Sequence, residues 1–170
     1  MFWGRIAVTL ALVSLCCLSV LSTAPAAHGQ LHVLNSPESL KGRRVPATAS
    51  SAGGIICTDW DAWSVLFKGT RFWSPTPREV SAADAAAEKY IRQVRPAQSP
   101  DLGLKLKQYH RQYVGITSDG RKRIYINYYC QPDRLMDEPI LIKDGGDCFF
   151  HLEYDIEDRT CHRLYIHGDA

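Results

Sequence analysis

Beyond residue 21 the chain lacks any apolar run long enough to span a membrane, which takes roughly 20 residues as a helix. It has no Cys-x-x-Cys pair, so the common dithiol and zinc-ribbon spacings are absent. It has no Gly-x-Ser-x-Gly, the nucleophile elbow of α/β-hydrolases. A charge of one sign is missing too. Lys and Arg number 20 against 18 Asp and Glu, and no basic excess points to nucleic acid or to an anionic membrane surface.

What is present begins with a leader. Arg5 supplies a positive start, Ile6 to Leu21 is apolar, and small residues follow at Ala24, Ala26, Ala27 and Gly29. That layout predicts a secretory signal peptide over residues 1–29, cleaved between about Ala26 and Gly29. The rest of the chain, about 141 residues, is the size of one domain. The leader contributes only Arg5, so the remainder holds 19 basic against 18 acidic residues. Four cysteines remain: Cys57, Cys130, Cys148 and Cys161. An even count in an exported chain predicts disulfides and a secreted or periplasmic location.

Residues 30–54 hold Pro37, Pro46, the Lys41-Gly-Arg-Arg44 cluster and an Ala/Ser/Gly tract, with no sustained period. They read as a flexible N-terminal arm. Residues 55–170 read as a single α+β domain. Its first stretch concentrates aromatics. Trp60, Trp63 and Phe67 fit one helical face, either as an exposed binding patch or as a lid over the core. Thr76-Pro77-Arg78-Glu79 is a capping box with proline in the first turn. It opens a helix that runs to Val94, with Val80, Ala83, Ala87, Tyr90, Ile91 and Val94 as its stripe. Pro96 to Gly103 reads as a loop.

Four strands are predicted after the helix. Leu104 to Thr117 is rich in β-formers, and Ser118-Asp119-Gly120 signals a hairpin. Arg121 to Cys130 returns, with Ile124, Ile126, Tyr128 and Cys130 on one face. Two-residue and three-residue turns would place opposite faces of the first strand inward. A glycine turn at 143–147 feeds the clearest alternating stretch, with Cys148, Phe150, Leu152 and Tyr154 on one face. That stretch is taken as the middle of the sheet. Cys161 to His167 closes the set, with Leu164 and Ile166 inward. The expected architecture is one long helix on a four-stranded antiparallel sheet. Cys130 and Cys148 fall opposite each other at one end of a strand pair. The expected bridges are therefore Cys130–Cys148 and Cys57–Cys161, each stabilising by about 2–4 kcal/mol.

A helix followed by a four-stranded meander over residues 76–168 resembles the cystatin-like architecture. The protease-blocking Gln-x-Val-x-Gly of cystatins is matched only by Gln112-Tyr113-Val114-Gly115, one residue short, so the resemblance implies the fold rather than inhibition. Tyr109-x-x-Gln112-Tyr113-x-Gly115-Ile116, Asp119-Gly120, Ile124-Tyr125-x-Asn127, Cys130, Asp144-Gly145-Gly146-Asp147-x-Phe149, Tyr154-Asp155 and Gly168-x-Ala170 resemble a group of small exported bacterial proteins of unknown function.

Candidate site residues are few. Lys105, Lys107, Tyr109, Arg111 and Tyr113 alternate at strand spacing and would present a basic, aromatic binding face. Trp60 and Trp63 are the second binding candidate. Asp144 and Asp147 could offer oxygen ligands to Ca²⁺, but they lack the carboxylate spacing of a calcium loop. His151, His167 and Asp147, with Tyr165, fall near one end of the last hairpin, where two histidines and a carboxylate could hold Zn²⁺. Glu153 and Asp155 form a carboxylate pair two apart on one strand. No cofactor and no nucleic-acid partner are expected. The expected function is non-catalytic binding of a protein or envelope component, as an inhibitor or accessory factor. The competing expectation is a small-molecule or hydrolytic site between helix and sheet.

Overall fold

The computed structural model describes residues 42–46, 53–94, 96–131 and 137–168. The expected signal peptide, most of the expected arm and residues 95, 132–136, 169 and 170 lie outside the described residues. The chain is α+β around one seven-stranded sheet. In order come β1 (Arg43–Val45), β2 (Gly54–Ile56), α1 (Trp60–Ser64), β3 (Arg71–Trp73), α2 (Pro77–Val94), α3 (Leu102–Lys105), β4 (His110–Ser118), β5 (Arg121–Tyr129), β6 (Phe149–Asp155) and β7 (Thr160–Ile166).

The sheet order is β1-β2-β4-β5-β6-β7, with β3 also paired to β4. β2 runs parallel to Arg111–Tyr113 of β4. β3 runs antiparallel to Gly115–Thr117 on the same edge. The three early strands correct the four-stranded, wholly antiparallel expectation. They also move the centre to β4 and β5 and leave β6 second from the edge. Part of the expected arm is thus ordered, with β1 laid antiparallel on β2.

The capping box forms as expected. Glu79 Oε2 accepts from Thr76 N and Oγ1 at 2.7 Å each, and Glu79 N donates to Thr76 Oγ1 at 3.3 Å. Val80, Ala83, Ala87 and Ile91 of α2 are buried, whereas Val94 is exposed. The small residues bring α2 close to the sheet. Burying Val80 and Ile91 contributes about 1.5–3 kcal/mol each. Leu102–Lys105 is a helical turn continued by a tighter turn at Leu106–Gln108, so Lys105 and Lys107 are not in the strand. The β4–β5 hairpin has the two-residue turn Asp119-Gly120, with φ of 52° and 75° and Ser118 paired to Arg121. Two positive φ values match the twist of the flanking strands.

That register sends Tyr113, Ile124, Ile126, Tyr128, Phe150, Leu152 and Tyr154 toward α2. The opposite face is covered as well. Ile55, Cys57, Val114, Ile116 and Tyr125 pack with Trp63, and Trp60, Leu66, Phe67 and Phe72 close around them. A segment after residue 136 is clamped to this second face. Gln112 Oε1 accepts from Asn127 Nδ2 at 2.9 Å and from Ile140 N at 3.2 Å. Gln112 Nε2 donates to Glu138 O at 2.6 Å, and Asn127 Nδ2 donates to Ile140 O at 2.9 Å. Buried amides of this kind must be satisfied, and here they substitute for a strand ladder.

Cys130 and Cys148 are bridged, with Cα atoms 5.1 Å apart. They extend the β5–β6 register one pair beyond Tyr129 and Phe149. The second expected bridge is absent. Cys57 and Cys161 are buried, are not bridged to each other and lie on opposite faces of the sheet. Four strand spacings, from the β2 position to β7, separate them by roughly 19 Å, far beyond the roughly 7 Å limit for Cα atoms of a disulfide.

Candidate functional site

The expected basic and aromatic face is interior. Tyr109, Arg111 and Tyr113 are buried because β4 turns this side toward α2. Arg111, 1% exposed along its side chain, places Nη1 3.4 Å from Asp84 Oδ2 and its guanidinium 5.0 Å from the centre of the Tyr128 ring. The Tyr113 hydroxyl donates to the Asp84 carboxylate, lying 3.0 and 2.9 Å from its two oxygens. Burial pushes Asp84 upward, opposed by Arg111. Asp84 on α2 was not legible as a site residue. A single aspartate among alanines reads as solvent-facing.

The tryptophans form the lid. Trp63 is fully buried and donates from Nε1 to Asp137 O at 2.7 Å. Asp137 Oδ1 in turn accepts from Thr58 N at 2.6 Å. Trp60 is half-buried, stacked on Phe72 with ring centres 5.5 Å apart.

Asp147, Glu153 and Asp155 are each held by a cation. Asp155 accepts from Arg121 Nε and Nη2 at 2.7 and 2.9 Å, and these bonds hold its pKa well below the usual carboxylate range. Its Oδ1 also accepts from Glu157 N and Asp158 N at 3.0 and 3.1 Å, which shapes the β6–β7 turn. Glu153 lies 3.5 Å from Arg123 Nη1 and 3.1 Å from Arg163 Nη1. Asp147 accepts from Ser99 Oγ at 2.8 Å and Lys105 Nζ at 3.0 Å, which lowers its pKa. It secures the glycine turn instead of joining the histidines. Among the described residues no three His, Cys, Asp or Glu side chains gather as a metal site.

The remaining candidates do meet. His151 Nδ1 lies 3.3 Å from His167 Nε2. Tyr165 stacks on His151 with ring centres 5.3 Å apart and meets the edge of His167 at the same distance. Tyr125 closes the group from β5, 5.0 Å from the His151 ring. Burial, with His167 nearby, lowers His151 to about 4. Burial also lowers His167, against a hydrogen bond to the Ile142 backbone. Both rings are therefore neutral at pH 7. Tyr165 stays 56% exposed. A bulge between His151 and Glu153 of β6, with Arg163 at φ 57°, breaks the simple alternation of β7. It brings both His162 and Arg163 to Glu153. No spacing in the sequence signals this bulge.

No protein-family model matches the chain, and comparisons with curated proteins and with solved structures give no significant match.

Proposed function

We propose that this chain is an exported, non-catalytic binding domain whose working surface is the outer face of β6 and β7. One observation carries the reading. The carboxylates of Asp84, Asp147, Glu153 and Asp155 are each paired with a cation of the same chain, while an aromatic and histidine patch with exposed Tyr165 lies on that outer face. Exposed tyrosine and arginine are side chains that often anchor interfaces, and Arg163, still half-exposed beside its pair with Glu153, stands two residues from Tyr165 on β7. The occupant that suits this surface is a protein of the envelope or the medium.

Export is supported by the leader over residues 1–29 and by a disulfide, which persists in oxidising compartments. No helix among the described residues is long and apolar enough to cross a membrane. The helix-then-meander order of α2 and β4 to β7 supports a cystatin-like core enlarged by three strands. The resemblance to small exported bacterial proteins stands beside it. The competing reading, a ligand or hydrolytic site between helix and sheet, must contend with the Arg111, Tyr113 and Tyr128 side chains buried there.

A photo-crosslinking amino acid placed at position 165 tests the proposal in cells that export the chain. A discrete adduct at 165, lost on adding excess unlabelled chain and absent from a probe at Val65, is expected. No adduct at 165, or turnover in a hydrolase screen that a single substitution abolishes, would overturn it.

A further inference from the structure

Two imidazole nitrogens, one on β6 and one just past the end of β7, face each other on the outer sheet surface: His151 Nδ1 and His167 Nε2, 3.3 Å apart. A tetrahedral ion holds histidine nitrogens at about 2.0–2.1 Å, which places two such nitrogens about 3.4 Å apart. The observed separation is thus the one at which a single ion bridges both rings. We infer that His151 and His167 chelate a first-row divalent ion of the zinc and copper class, with solvent completing its shell.

Three features support the assignment. The rings are fixed before any ion arrives. Tyr125 of β5 and Tyr165 of β7 both pack against the His151 ring. Tyr165 also meets the edge of the His167 ring, with centres 5.3 Å apart. The ligand chemistry is selective as well, since two imidazoles without a carboxylate disfavour Mg²⁺ and Ca²⁺. The rings are only partly buried, so the ion has an entry path. Two protein ligands hold an ion less firmly than the three or four of dedicated zinc centres, and EDTA should strip this one readily. The site does not require the protein partner proposed above, because the isolated chain tests it.

The probe is ZnCl₂ titrated calorimetrically into the purified, EDTA-treated full chain at pH 7.5. His151→Gln and His167→Gln should each weaken binding at least tenfold, while His162→Gln leaves it unchanged. The His151→Gln/His167→Gln double variant sets the baseline for the other histidines. A second measurement avoids variants. Zinc should slow diethyl pyrocarbonate modification of His151 and His167 in the wild-type chain and not that of His162, as read by peptide mass spectrometry. Wild-type affinity no tighter than that of the double variant overturns the inference. So does protection that falls on other histidines, and the 3.3 Å contact is then an imidazole–imidazole hydrogen bond alone.

Discussion

Replacing Asp84 with alanine tests the buried network between α2 and the sheet. Asp84 is 13% exposed and Arg111 1% exposed along their side chains, with 3.4 Å between the ion-pair atoms. Removing one partner of a buried pair leaves an uncompensated charge and costs about 3–5 kcal/mol. Against a domain stability of about 5–15 kcal/mol, that is a large fraction. The reverse deletion, Arg111→Met, should be milder and should depend on pH. An abandoned aspartate escapes by taking a proton, whereas arginine cannot lose one. Burial already raises Asp84. The native state therefore holds this proton more tightly than the unfolded chain, and the stability linked to it is present at low pH and lost as pH rises through the folded pKa. Without Arg111 that pKa climbs further. Arg111→Met should thus cost less at pH 5 than at pH 8. Urea unfolding followed by tryptophan fluorescence, with the disulfide intact, measures each variant. A loss below about 1 kcal/mol for Asp84→Ala would refute the reasoning. So would a double variant whose cost equals the sum of the two singles.

Three further outcomes are expected. Cys130→Ser/Cys148→Ser should lower stability by about 3 kcal/mol for a loop of this length, and in the native chain Cys57 and Cys161 should react with a thiol reagent only after denaturation, since burial pushes both upward, Cys161 to about 12. NMR titration should place His151 near pH 4; because the unfolded histidine titrates at about 6.5, its contribution is complete above that pH and is lost as pH falls from 6.5 toward 4. Gly115→Ala should destabilise by about 1–3 kcal/mol, seen in the same urea assay, because a Cβ there collides with the backbone oxygen and ring of Trp73.

What the sequence determined by itself is local. The Thr76–Glu79 capping box, the α2 stripe, the Asp119-Gly120 turn and the alternation of β6 each depend on residues a few positions apart, and each formed. Cys130 and Cys148 were also readable, because one hairpin register places them opposite each other. Tertiary structure decided which face of β4 is interior. Tyr109, Arg111 and Tyr113 carry polar tips that suit either water or a buried partner, and distant segments supplied the partners: Asp84 on α2 for Arg111 and Tyr113, and the Asp147 carbonyl for Tyr109. It also decided the sheet's width, since β1, β2 and β3 are three residues each and too short to show a period. The same width carried Cys57 and Cys161 apart. The His151–His167 contact lies between these extremes. Alternation placed both rings on the outer face, but their 3.3 Å approach depends on the β6–β7 register, and the bulge at Arg163 that alters this register is a backbone conformation with no sequence period to announce it.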